Sequence, residues 1–143
     1  MTSSNIKIFA TTEFVQDFKS NNWNLSIFQQ EFAKWKHYGE NSSYTFAHDK
    51  GDPPRYLRHA HLAPEGEGER LLEWKIHWDN PKWRHLRKSD RGIFYAHARQ
   101  QEYILIGLLE DPGAHEIWKK HGRPLRLKWE DHAEQFCVFN KIV

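Results

Sequence analysis

The stretch Tyr103–Leu109 (YILIGLL) is apolar at every position and lacks the alternation of a half-exposed strand. It is too short for a buried helix, so it reads as a strand covered on both faces and therefore central in its sheet. That requirement constrains the rest of the chain, which must supply neighbouring strands and helices to cover it. The segment before it, RGIFYAHA (91–98), is joined to it by the polar RQQE, and the two read as an antiparallel hairpin.

The remaining chain offers the covering pieces. Residues 5–11 alternate and predict a short strand, and Thr12-Glu13 opens a helix with Phe14, Val15 and Phe18 on one stripe. Asn24 can cap a second helix whose Leu25, Phe28, Phe32 and Trp35 share a face and which Gly39 stops. Residues 40–56 are polar, with Gly51 and Pro53-Pro54, and read as a long loop. LRHAHLA (57–63) is a strand closed by Pro64. The Trp-rich, basic residues 70–90 contain Pro81 and follow neither period. Asp111-Pro112 opens a helix through His121 that Gly122 and Pro124 end, and residues 125–139 read as helical. The expected fold is α+β within a single domain spanning residues 1–143, in the order β-α-α-β-β-β-α(-α). Two N-terminal helices would lie on one face of a small, mostly antiparallel sheet, leaving the other face free.

Composition bounds the function. The chain has 143 residues, with 21 Lys+Arg against 19 Asp+Glu and a net charge of +2, which is not the balance of a protein that coats nucleic acid in bulk. The single cysteine, Cys137, excludes an internal disulfide and suits a reducing compartment. The amino end lacks a signal-peptide layout, and no apolar run approaches the roughly 20 residues of a spanning helix. A cytoplasmic protein without membrane association is expected. The charge is unevenly spread, however: residues 82–101 hold six Lys/Arg against Asp90 alone, interleaved with Trp83, Phe94 and Tyr95. Cations among rings suit a phosphodiester backbone with unstacked bases.

Ten histidines are the second unusual count. His59 and His61 share one side of their strand, opposite Arg58, Ala60 and Leu62. Ile93, Tyr95 and His97 likewise oppose Phe94, Ala96 and Ala98. The simplest assignment turns Phe94, Ala96 and Leu62 toward the helices and gathers Tyr95, His97, His59 and His61 on the free face. A metal reading of this strip, with His97 or His115 as further ligands, lacks a carboxylate at diagnostic spacing, and Lys119 stands where His115-Glu116 would need a histidine. No metal and no cofactor are expected. Metal-free RNA cleavage needs only a base for the 2′-hydroxyl, an acid for the leaving 5′-oxygen, and cations for the crowded phosphorane. His59, His61, Arg84, Arg87, Tyr95 and His115 supply these group types.

Four motifs then fall in a familiar order. RHAHLAP (58–64), RHLRKSD (84–90), IFYAHA (93–98) and YILIGLLEDPGAH (103–115) resemble the YafO-type toxins of bacterial type II toxin–antitoxin systems. The match rests on His59, His61, Leu62 and Ala63, on Arg87, Ser89 and Asp90, on Tyr95, and on Pro112 and His115. It covers about residues 55–121; the first 50 match only in having two helices, and the tail is unmatched. The resemblance implies a RelE-like microbial ribonuclease fold and ribosome-dependent mRNA cleavage without metal, neutralised by a cognate antitoxin. The implied partners are thus the ribosome, mRNA and antitoxin. With this, His59, His61, Arg87, Tyr95 and His115 are the expected catalytic residues, the histidines as proton-transfer groups, Arg84 and Arg87 on phosphate and Tyr95 stacked on a base, and the basic and aromatic residues Arg58, Lys82, Trp83, Arg84, Lys88, Arg91 and His97 are expected to bind RNA. Ala96-His97-Ala98 departs from the family's Cys- or Gly-containing turn, which leaves base and acid unassigned. The alternative is a toxin of the same fold that inhibits a protein such as DNA gyrase. The first helix pair and the Leu125–Phe139 tail are the candidate antitoxin surfaces.

Overall fold

The computed structural model describes residues 5–51, 55–66, 68–110 and 115–143. Four strands form one sheet in the order β1-β4-β3-β2, with β1 (Lys7–Ala10), β2 (Arg58–His61), β3 (Gly92–Ala98) and β4 (Glu102–Leu109). β1 runs parallel to β4, and the other pairs are antiparallel. The apolar run is one of the two inner strands, as its composition requires, and the hairpin with β3 forms as expected.

Helices α1 (Thr12–Ser20) and α2 (Leu25–Tyr38) follow β1. The Thr11 side chain caps the first, accepting from the Phe14 N–H at 3.1 Å, and Asn24 caps the second, accepting from Ile27 at 3.0 Å. Gly39 ends α2 at φ 104°, a conformation that a residue with a Cβ resists. Phe14, Phe18, Phe32 and Trp35 from these helices pack with Phe46, Ile93, Tyr95 and Leu105 in one fully buried cluster. The undecided segment becomes α3 (Glu69–Asp79), followed by a 3₁₀ turn at Pro81–Leu86. Trp74 anchors this pair by donating its indole N–H to the Tyr44 carbonyl at 2.9 Å.

The carboxyl end departs from expectation. Residues 111–114, which include the expected Asp111 cap and Pro112, lie outside the described residues. Glu116–Trp118 and Lys120–Gly122 are short 3₁₀ turns, and α4 spans Arg123–Phe139. Pro124 thus opens a helix instead of closing one, because the first turn has no intrahelical use for its missing N–H. α4 covers the second sheet face, where Trp129, Ala133 and Phe136 pack on Phe94, Ala96, Ile104 and Ile106. The expectation of an uncovered sheet face is therefore overturned: apolar side chains from both sides of β3 and β4 demand cover on both sides.

The face assignment changes with it. β2 and β3 pair as Arg58↔Tyr95 and His59↔Phe94, and directly paired residues share a face. Tyr95 therefore turns toward α2, while His59 and His61 turn toward the α4 side with Phe94. The spacing within each strand was sufficient to separate the two sets, but not to match them across the strands.

Candidate functional site

At the outer edge of the α4 layer, three of the expected residues meet. The His61 and His115 rings lie 5.5 Å apart between centroids, and His59 and His61 lie 6.1 Å apart. His59 stacks on Phe94 at 5.5 Å and touches Trp118 at 5.1 Å, and these two rings, 6.4 Å apart, form a corner against which it sits. The pairing of β2 with β3 fixes two of these imidazoles, and contact with Asp90 places the third.

Asp90 orients His115. Its Oδ1 accepts the His115 backbone N–H at 2.8 Å and lies 3.1 Å from ring Nδ1. With Nδ1 on the carboxylate, Nε2 is the nitrogen left for a substrate. Ser89, next to Asp90, donates its hydroxyl to the Leu62 carbonyl at 2.6 Å and so ties this turn to the end of β2. Burial pushes the His59 imidazole down to about 4, with Lys50 and His115 adding repulsion that the Asp49 carboxylate partly offsets. Burial also takes His61 to about 4, reinforced by His59 and His115. Both rings are therefore neutral near pH 7 and able to accept a proton. The His61 Nδ1 is buried without a hydrogen-bond partner. Among the described residues, no set of three His, Cys, Asp or Glu side chains is gathered to hold a metal ion.

Two of the residues expected to be catalytic lie elsewhere. Arg87 is 1% exposed, and its guanidinium donates to the carbonyls of Arg84 (2.9 Å), Tyr44 (2.9 Å), Phe46 (3.1 Å) and Ser43. It fastens the 43–46 loop to the segment after α3 and does not face the histidines' solvent side. Burial lowers it to about 10, which still leaves it charged at neutral pH. Tyr95 has no exposed surface and packs edge-on against Phe32 at 5.0 Å. Its hydroxyl accepts from Lys36 at 2.7 Å and donates to Asp49, so it offers no ring face to a base. Burial, with Asp49 beside it, holds that phenol well above its ordinary range.

Among the expected RNA-binding residues, Arg58 and His97 open instead onto a polar cavity of about 410 Å³ on the α2 side, with Lys36, Glu40 and Asp49. His97 is exposed and stacks on Tyr103 at 4.2 Å. Arg84 lies over the Trp78 ring at 3.7 Å and donates to its carbonyl at 2.8 Å. Arg91 is paired with Glu110 at 2.7 Å and with the Ala63 carbonyl at 2.6 Å. Lys82, Trp83 and Lys88 are exposed on and after the 3₁₀ turn, free to meet a polyanion.

Three groups were not expected from sequence. Trp118 walls the histidine cluster, Lys50 places its charge near His59 and His61, and Lys36 forms a buried ionic cluster with Asp49. Lys36 lies 3.6 Å above the Trp35 ring, and desolvation lowers its ammonium below the ordinary lysine range despite Glu40 and Asp49. Only Asp49, two residues before a glycine in a polar loop, gave a sequence signal that could have been used.

No helix among the described residues is long and apolar enough to cross a membrane. No curated protein and no solved structure matches the chain. The family model described as Toxin YafO, type II toxin-antitoxin system, matches residues 17–138, and the chain therefore belongs to the YafO toxin family.

Proposed function

We propose that this toxin is a cytoplasmic, ribosome-dependent endoribonuclease that cleaves translated mRNA without a metal ion. The observation that carries this reading is the pairing of unlike imidazoles: His61, kept neutral by burial, stands 5.5 Å from His115, which is held on a carboxylate. In this reading His61 accepts the 2′-hydroxyl proton, the oxygen attacks the adjacent phosphorus, and His115, oriented by Asp90, donates a proton to the departing 5′-oxygen. Lys50 supplies positive charge to the phosphorane in place of the buried Arg87. Trp118 offers a ring, 42% exposed, on which a flanking base can stack. The sheet order, with β1 parallel to β4 and two helices after β1, supports the RelE-like fold that the resemblance implies.

Cleavage of mRNA on translating ribosomes tests it. His61→Ala and His115→Ala should each lower the cleavage rate by roughly 10²–10⁴-fold while the chain stays folded. Growth arrest with mRNA left intact would sink the reading, and a supercoiling block of purified gyrase under those conditions would favour inhibition of a protein target.

A further inference from the structure

On the face away from the histidines, α1, α2 and the end of β4 leave an open apolar trough. Phe18, Trp23, Ile27, Phe28 and Leu108 line a cavity of about 320 Å³, and a second of about 200 Å³ shares Phe18, Trp23 and Leu108 with it. Ile27 is 56% exposed and Trp23 39% exposed, although Phe32 and Trp35 of the same helix pair are fully buried. The sequence gives a reason for a floor here but none for leaving it open. Such a contiguous apolar surface beside polar residues marks an interaction site.

The rim states the charge of the occupant. Asp17, Glu31, Glu65 and Glu110 border the two cavities, against a single cation, Arg91. Arg91 is already committed to Glu110 and the Ala63 carbonyl. The Glu65 carboxyl is raised above its ordinary value, chiefly through a hydrogen bond with Glu110, with repulsion from the same group added. Two carboxyls crowded at the lip would both gain from a further cation.

We propose that this trough is the docking site for a short amphipathic segment of the antitoxin, whose large aliphatic or aromatic side chains fill the floor and whose Lys or Arg residues meet the acidic rim. The proposal rests on family membership, which implies a cognate antitoxin, and not on the ribonuclease reading. An amphipathic helix in an apolar groove is a recurrent mode of recognition, and the charge balance at this lip selects a basic one. A second copy of this chain is the competing occupant. It is disfavoured because a symmetric contact would bring the same four carboxyls against each other.

Two synthetic helical peptides of about 15 residues test the surface directly, sharing one Leu/Ile stripe and carrying either Lys or Glu elsewhere. Each is titrated into isotopically labelled protein. The Lys peptide should bind at least about tenfold tighter than the Glu peptide, with amide shifts confined to α1, α2 and the lining residues Thr45, Phe46, Glu65, Arg91 and Leu108–Glu110. Ile27→Glu with Glu31→Lys, both on the exposed side of α2, should lower that affinity about tenfold or more. Leu72→Glu, at an exposed site on α3, should leave it unchanged. Equal binding of both peptides, shifts elsewhere, absence of binding, or indifference to the α2 pair would each overturn the proposal. A concentration-dependent dimer dispersed by Ile27→Glu would do so in favour of the second copy. None of these outcomes depends on RNA cleavage, so a failed ribonuclease reading leaves the result intact.

Discussion

At the scale of the residue, the same side chain can look catalytic in sequence and be structural in space. Arg87 lies in the most basic stretch of the chain, where a phosphate ligand is the natural reading. Its surroundings are instead the backbone carbonyls of Ser43, Tyr44, Phe46 and Arg84. The 43–46 loop passes over β2's edge, where Phe46 bridges to Leu62, and its other carbonyls need donors. A guanidinium can reach several at once, which an ammonium cannot. Arg87→Ala should therefore cost about 2–4 kcal/mol of stability, since a charge-assisted set of bonds is lost and buried acceptors are left unpaired. Arg87→Lys should recover only part of it. Urea denaturation of the two variants measures this directly. Undiminished stability with lost activity would return the residue to the site.

The element that organises the molecule is β4, and its irregularity explains its sequence. Phe94 pairs with Gly107 but Tyr95 pairs with Leu105, so Ile106 is an extra residue in β4 and the alternation breaks there. Tyr103 and Leu105 pack under α1 and α2, while Ile104 and Ile106 pack under α4. Gly107 follows Ile106 on the α4 side. A Cβ there would lie 2.2 Å from the Trp129 ring, closer than any contact permits. The glycine admits the indole to the sheet. Gly107→Ala should destabilise the chain by about 1–3 kcal/mol. The loss should be smaller when Trp129 is already Phe, a coupling that a double-mutant cycle with thermal unfolding detects. Additive losses would mean that the indole does not lean on this backbone. Much of this architecture was legible in the sequence. The apolar run marked an inner strand, and the Asn24 and Gly39 signals bounded α2 to the residue. The bulge, the cross-strand match of Arg58 with Tyr95, and the second layer under α4 were not legible. Parity describes one strand at a time, and the i, i+4, i+7 stripe of Trp129, Ala133 and Phe136 marks a helix face without saying which sheet face it covers. The site was half legible for the same reason: His59 and His61 follow from a two-residue spacing, but Trp118 and Asp90 reach them only through tertiary turns.

For the whole molecule, holding two neutral histidines, His61 buried and His59 half-buried, links folding to pH. His59 and His61 stay unprotonated in the folded chain until about pH 4, against an ordinary imidazole value near 6.5. As pH falls through 6.5, the unfolded chain takes up a proton on each and the folded chain does not. The unfolded state therefore binds more protons in this window, and stability declines from about pH 6.5 to about pH 4 before levelling. Each group contributes at most about 3 kcal/mol to that decline, because one pKa unit corresponds to about 1.4 kcal/mol. His132, lowered chiefly by its own burial, acts with the same sign. Asp49 works in a lower range. Burial opposes its ionisation, but the Tyr95 hydroxyl, Lys36, the Gly51 amide and Arg58 together hold it below the usual carboxylate value. Its stabilisation is lost only as pH falls through that depressed value, whereas Glu65, raised in the folded chain, gains stability as pH falls and works against the histidines in this window. Urea midpoints measured from pH 7 to pH 4 should fall steadily. His59→Gln with His61→Gln should flatten the slope, even though the variant starts from a lower stability at pH 7. A midpoint constant between pH 7 and pH 5 would show that the two rings are solvated in the folded chain.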